Sequence, residues 1–354
     1  MSTSALVVGA GINGLLVALE LARRGCSVRV IDQGEIPNQF SASHGKHRLL
    51  HPWKSDPSRG LDAHAALELW DKLLRELECD GFSRTGVIVA NTDAESYEQS
   101  IRYSPSSVVL SYEDTCRLMP QLAGGQFMNA ILYPEFGCLF ADRILYSVCD
   151  YLSKLGVVLM PRCEVSRIEA DSGRVELLDG RRMYADLVFI SAGTGTHKIR
   201  GALDGLSGTI KATTMRCYVM YLDPNAAGTE FGPFSWASLG GGDLWGMPNV
   251  RGIAPKLGCG QLTTPHDPDE PSEDLDAISR RIIREYSKLY PQFSALTGRV
   301  RFNHWTLFST PDSFHIRDKA IIMTACSGIG YKFAPLTAQK VCTAVLDSKQ
   351  RAHS

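Results

Sequence analysis

Between Ser41 and Trp53 the chain reads SASHGKHRLLHPW, which sets His44, His47 and His51 beside Lys46 and Arg48. Imidazole, ammonium and guanidinium groups at this density serve a metal, a nucleic acid or an anionic cofactor. A metal is disfavoured, because no second His/Asp/Glu cluster of metal-ligand spacing accompanies the first. A nucleic-acid surface is disfavoured as well, because 37 Lys+Arg stand against 38 Asp+Glu and the formal net charge is −1. The basic cluster is thus a local feature of a neutral chain, either a solvated basic loop or a surface for an anionic cofactor.

The elements that would position such groups begin at the N-terminus. Ala5–Val8 is a short apolar run fit for a buried parallel strand, and it leads into Gly9-Ala10-Gly11-Ile12-Asn13-Gly14. Leu15, Leu16, Leu19, Leu21 and Ala22 then recur at helical spacing up to Gly25, a helix-ending glycine. A second strand, Ser27–Ile31, ends on Asp32. Strand, glycine turn, helix, strand and acid form the pattern of a dinucleotide site. Gly9 permits the tight turn, Gly11 lets backbone N–H groups approach a pyrophosphate, and Gly14 allows the helix to pack closely on the strand. Asp32 can accept from a ribose 2′-OH, which argues against a 2′-phosphate and leaves NAD or FAD. After the second strand the chain runs into Pro37, Asn38 and the basic cluster rather than a crossover helix. Far downstream, YADLVFISAGTGT sets the apolar strand Leu187–Ile190 before a second turn at Ala192-Gly193. Both features favour FAD.

A chain of 354 residues with 44% hydrophobic and 21% charged residues is an ordinary globular protein of roughly two domains. Its ten cysteines are scattered, the closest pair being Cys138 and Cys149, so neither zinc-ribbon spacing nor a disulfide framework is expected. The N-terminal apolar run lacks a basic leader and is interrupted by glycines, Asn13 and Glu20, and no other segment has the apolar length of a membrane span. A cytoplasmic protein binding neither nucleic acid nor membrane is expected, either monomer or dimer.

Four segments in order along the chain now resemble the FAD-dependent amine and amino-acid oxidases, the family of monomeric sarcosine oxidase and N-methyltryptophan oxidase and, more distantly, glycine oxidase and D-amino-acid oxidase. They are VVGAGINGLLVALELARRGCSVRVIDQ; SHGKHRLL followed by LELWDKLLREL and RTGVIVANT; WGMPNVRGIAPKLGCG; and STPDSFHIRDKAIIMTACSGIGYKFAP. The resemblance implies an α/β fold in which a Rossmann-like FAD-binding domain (residues 1–85, 143–212 and 311–354) is interleaved with a mainly antiparallel-sheet substrate domain (86–142 and 213–310). It places Gly9, Gly11, Ile12, Asn13, Gly14, Asp32, Ser43, His44, Gly45, Arg48, Leu49, Val165, Ala192, Gly193, Gly328, Ile329, Gly330, Tyr331 and Lys332 around the cofactor. Arg48 would stabilise the anionic reduced flavin, Lys256 would promote reaction with O2, and Lys332 would bind the substrate carboxylate. The implied reaction is hydride transfer from the carbon next to nitrogen to flavin N5, giving an imine, with O2 reduced to hydrogen peroxide.

The departures from the family pattern fall on the substrate side. The arginine that pairs with the carboxylate lysine is His51 here, a weaker and pH-dependent cation. The tyrosine of the Y-G-F-P element is Trp245, and the histidine four residues beyond the O2 lysine is Gly260. Trp53, Trp245 and Met247 would suit a substrate bulkier than sarcosine. The cysteine that anchors the flavin covalently aligns with Trp305, so non-covalent FAD is expected. Alternatives are a dehydrogenase of the same fold, which Lys256 argues against, a tailoring oxidase or hydroxylase acting on a modified biosynthetic intermediate, and a non-catalytic FAD-binding partner protein. In the second half, Met215–Leu222 and Phe231–Pro248 read as strands. Ser272 reads as the N-cap of a helix with Glu273 and Asp274 in its first turn and an apolar stripe of Leu275, Ile278, Ile282, Tyr286 and Leu289.

Overall fold

In the strand Ser4–Val8 successive side chains go to opposite faces of one sheet, and both faces are covered. Ala5 and Val7 pack into a helical layer, while Leu6 and Val8 pack into a second core on the other side. The strands Leu187–Ile190 and Ala320–Met323 alternate in the same way, which is why all three read as unbroken apolar runs. The computed structural model describes residues 2–52, 57–91, 98, 106–204, 210–223, 232–239, 244–266, 273–326 and 329–353.

These strands belong to a six-stranded sheet ordered Phe314–Arg317, Ala320–Met323, Leu187–Ile190, Ser4–Val8, Ser27–Ile31 and Val158–Met160. All neighbours are parallel except the first pair. The helices are α1 (Ile12–Arg23), α2 (Pro57–Glu76), α3 (Tyr112–Leu118), α4 (Ala141–Lys154), α5 (Leu275–Leu289) and α6 (Gly330–His353). Residues of α1, α2, α4 and α6 fill the helical layer, and the meander Val165–Glu169, Arg174–Leu177 and Arg182–Tyr184 covers the opposite face. Helix α1 buries Ile12, Leu15, Leu16, Val17, Leu19 and Leu21, and each large apolar side chain buried is worth roughly 1.5–3 kcal/mol. It ends at Arg23, and Gly25 follows at φ +78° with its N–H on the Ala22 carbonyl, the left-handed position that a side chain disfavours.

A second, nine-stranded sheet, mostly antiparallel, draws on residues 87–133 and 212–308. The strand expected at Met215–Leu222 begins at Ala212. The stretch read as one strand from Phe231 to Pro248 is instead two, Ser235–Leu239 and Leu244–Met247, with three consecutive glycines between them in the sequence. Helix α5 covers this sheet through Ile278, Ile282 and Tyr286, while Leu275 stays exposed. Its N-cap is Asp274, whose side chain accepts the Asp276 N–H at 2.9 Å, so Glu273 and Asp274 precede the helix rather than filling its first turn. Ser272 lies outside the described residues.

Candidate functional site

The dinucleotide turn is built by close approach. At Gly9, with φ +100°, a Cβ would lie 2.4 Å from the Ser191 carbonyl oxygen, and at Gly14 it would lie 2.0 Å from that of Gly9. Ser191 donates its N–H to the Val8 carbonyl, so Ala192 and Gly193 leave the sheet next to the turn. Gly11 is the N-cap of α1 and has no side chain to cap it; Ser43 Oγ accepts the Ile12 N–H at 3.0 Å. Ser43 takes one N–H of the first turn of α1, and the partial positive charge of that helix end still favours an anion beside it. Asp32 is buried and accepts from Ala10 N–H (2.8 Å) through one oxygen and from Gly34 N–H (2.9 Å) and Asn38 Nδ2 (2.8 Å) through the other. A carboxylate offers about four acceptor positions, so capacity for a ribose hydroxyl remains. Asn38 was not foreseen as a partner of Asp32; the Pro-Asn pair after the strand was its only trace in the sequence.

A second turn joins the first from the far end of the chain. Asn13 Nδ2 donates to the Ala325 carbonyl at 3.0 Å, and a Cβ on Gly330 would lie 2.2 Å from that same oxygen. The start of α6, with Ile329, Gly330 and Tyr331, is thus fastened to the first turn of α1. Tyr331 stacks on Trp70, whose Nε1 donates to the Lys332 carbonyl at 2.9 Å. Gly328 and Trp53 lie outside the described residues. Leu49 and Val165 are buried side chains of the helical core and the meander core respectively.

The basic cluster resolves into distinct roles. His44 donates its backbone N–H to the Ser41 carbonyl. Arg48 is held by three carbonyls, through Nη2 to Ala42 (2.8 Å) and His44 (2.7 Å) and through Nη1 to His47 (3.0 Å). Its guanidinium lies over the Tyr331 ring, and a Cβ on Gly45 would come within 3.1 Å of Nη1. No carboxylate among the described residues pairs with it. Lys256 is buried in the strand Lys256–Cys259 and donates through Nζ to the same His47 carbonyl at 2.8 Å. Two cationic groups therefore meet on one backbone oxygen. Unit charges ~6 Å apart repel by roughly 3 kcal/mol at the effective dielectric of such sites. Burial first, and then the charge of Arg48, hold the Lys256 ammonium well below the usual lysine range. The rings of Tyr221 and Trp245 flank its Nζ at 5.7 and 5.4 Å.

Lys332 is also buried, and its Nζ lies 3.0 Å from His51 Nε2. His51 Nδ1 lies 2.6 Å from the Pro52 carbonyl, which can only accept, so Nδ1 carries the proton and Nε2 accepts from Lys332. The sequence reading of His51 as a second, pH-dependent cation is corrected here. Burial, then Lys332, hold this imidazole well below its ordinary range, so it is neutral. Met247 is fully buried core, and half-buried Trp245 covers Gly258 with its ring 5.4 Å from Lys256 Nζ. Trp305 lies in the strand Gly298–Phe308 opposite Met215. Two residues the sequence reading passed over, His47 and Tyr221, stand at the centre of the cation pair; His47 was legible only as one member of the cluster. Among the described residues no group of three or more His, Cys, Asp or Glu could hold a metal, and no helix is long and apolar enough to cross a membrane.

With the glycine turn at the start of α1, the ribose acceptor and the paired cations in place, the residues fit an anionic dinucleotide carrying a redox ring. Comparison with known proteins agrees. Residues 4–344 match the family model described as FAD dependent oxidoreductase. The chain is 23% identical over 353 residues to a monomeric sarcosine oxidase of Bacillus sp. (strain B-0618), covering 93% of this chain and 88% of that protein. It is 22% identical to the human peroxisomal sarcosine oxidase, covering 95% and 90%. Among solved structures, L-proline dehydrogenase from P. horikoshii superposes with a TM-score of 0.81 at 19% identity, covering 98% of this chain and 94% of that one.

Proposed function

Because the chain belongs to the FAD-dependent oxidoreductase family, we propose that it oxidises an amino acid or related amine, secondary or N-substituted, at the carbon next to nitrogen. The relatives named sarcosine oxidases support the amine class. The observation that carries the reading is the convergence of Arg48 and Lys256 on the His47 carbonyl. FAD, when bound, supplies the two-electron acceptor. Gly9, Gly11 and Gly14 give its pyrophosphate a backbone approach to the α1 N-terminus, Ser43 flanks that end, and Asp32 receives a ribose hydroxyl.

Lys332 binds the substrate carboxylate, and neutral His51 orients its ammonium without adding a second charge. Two electrons and one proton, as a hydride, leave the C–N carbon, the nitrogen loses its own proton, and water hydrolyses the resulting imine to a carbonyl compound and an amine. Arg48 and Lys256 meet the negative charge that the electrons bring, and an anion beside Lys256 favours its charged form. Lys256 then assists electron transfer to O2. The balance is amine, O2 and water giving carbonyl compound, released amine and hydrogen peroxide. FAD is held without a covalent bond, since Trp305 stands where the family cysteine would be.

The test is anaerobic titration of the yellow protein with a panel of N-methyl, cyclic and primary amino acids, followed by admission of air. Bleaching by one class and return of colour with peroxide is expected, and acid should release all the FAD. Protein that carries FAD but is bleached by no amine overturns the substrate class. Bleaching with slow return in air replaces the oxidase by a dehydrogenase.

A further inference from the structure

Of the three histidines in the basic cluster, only His47 is fully buried. Its side chain is 0% exposed, and neither ring nitrogen has a hydrogen-bond partner. Burying an imidazole is costlier than burying an apolar ring of similar size, so an apolar side chain would serve folding better at this position. Burial, then the charges of Lys256 and Arg48, lower its pKa to about 2, so the ring is neutral and adds no third cation.

The ring sits inside a closed circuit of contacts. It stacks on Tyr221 at 6.0 Å and 15°. Tyr221 pairs with Lys256 across neighbouring strands, and its ring lies 5.7 Å from Lys256 Nζ. Lys256 returns to the His47 carbonyl at 2.8 Å, and Arg48 donates to that same oxygen at 3.0 Å. The side chain and the carbonyl of one residue therefore bear on the same lysine from two directions.

We propose that His47 is a positioning residue whose ring, packed on Tyr221, fixes the carbonyl that gathers Arg48 and Lys256 and so sets how strongly the site holds negative charge on bound flavin. The inference rests on the FAD reading above and deepens it. With a small side chain at position 47 the peptide loses its brace, and the repulsion between the two cations separates them.

Sulfite is the probe, because it adds to oxidised flavin, bleaches it and needs cationic support for the charge it brings. FAD-loaded wild type, His47→Ala and His47→Phe are titrated with sulfite, and the flavin midpoint potential and thermal midpoint of each are measured. His47→Ala should bind sulfite at least tenfold more weakly, with a potential lower by about 30 mV for each tenfold change in a two-electron equilibrium. His47→Phe keeps a flat ring without the unpaired nitrogens, and should stay within twofold of wild type in sulfite affinity. If His47→Ala changes only the thermal midpoint, while sulfite affinity and potential stay within twofold, His47 is packing and the proposal is overturned. Should His47→Ala not fold, His47→Phe decides, and a tenfold loss there removes the role of the stacked ring. Wild type that holds no FAD would bring down the functional reading itself, whereas sulfite-reactive wild type with an indistinguishable His47→Ala brings down only this inference.

Discussion

Lys256 and Lys332 are both buried lysines with a hydrogen bond from Nζ, yet their surroundings are opposite. The acceptor for Lys256 is a backbone carbonyl that Arg48 also uses, so its charge is contested by a second cation. His51, 3.0 Å from Lys332 Nζ, is an imidazole whose proton faces Pro52, so it accepts from Lys332 and adds no charge of its own. The first arrangement stores repulsion that an arriving anion relieves. In the proposed reaction the second would offer Lys332 to a substrate carboxylate with its imidazole neighbour neutral. Electron storage and substrate recognition would then be electrostatically separate in that reaction.

The strongest way to break that separation is Lys256→Met, which removes the contested charge and keeps much of the stem volume. Stopped-flow mixing of pre-reduced enzyme with aerated buffer should show reoxidation slowed by about a hundredfold or more, since a buried charge beside developing negative charge is worth several kcal/mol. Substrate affinity and FAD content should change little. Equal reoxidation rates would take Lys256 out of the reaction with O2.

Next in size is Lys332→Ala. Loss of a charged hydrogen bond to a carboxylate costs about 1.5–3 kcal/mol, or roughly ten- to a hundredfold in affinity. Anaerobic titration of the flavin spectrum with the best substrate measures it, and reoxidation should stay at the wild-type rate. An unchanged affinity would reassign Lys332.

Most of the cofactor half was legible because backbone sterics write themselves into sequence. Gly9 and Gly14 are forced by atoms that would lie 2.0–2.4 Å from a Cβ, and the alternation of Leu6 and Val7 between two cores leaves an unbroken apolar run. The substrate half depends on which neighbours meet, and local sequence does not record that. His51 looked like a cation because an isolated imidazole titrates near neutrality; burial and Lys332 remove that behaviour. The circuit from His47 through Tyr221 to Lys256 joins positions far apart in the chain. No spacing rule reaches across such a gap.

The neutral, unpaired ring of His47 also gives the cation side a pH signature that can sharpen the comparison. Its folded pKa of about 2 lies below the ordinary 6.5, so the unfolded chain binds more protons through that window. Stability therefore rises with pH between those values and is lost as pH falls below 6.5. At pH 5 the cost for this one group is about 2 kcal/mol relative to neutral pH. Urea denaturation of the FAD-free protein at pH 7 and pH 5 should show wild type losing about that much more than His47→Phe. Parallel losses in the two proteins would mean that the ring is not held neutral.

The smallest effect expected tests whether support for one lysine can be weakened without touching the other. Tyr286 on α5 is fully buried, and its hydroxyl is shared between the carbonyls of Trp245 (2.6 Å) and Gly258 (2.9 Å). Those two residues face each other across the strands Leu244–Met247 and Lys256–Cys259, the second of which carries Lys256. Tyr286→Phe removes the shared hydrogen bond and keeps the ring that packs against Phe293. The loss should be about 1 kcal/mol of stability, the net worth of one buried hydrogen bond, measured by urea denaturation. Strand pairing on either side limits how far Lys256 can move, so reoxidation should slow by no more than about threefold. Lys332 is held by His51 and receives nothing from Tyr286, so substrate affinity should not change. If affinity falls by as much as the reoxidation rate does, the two lysines are mechanically coupled through the nine-stranded sheet, and the separation drawn from their charges does not extend to their positions.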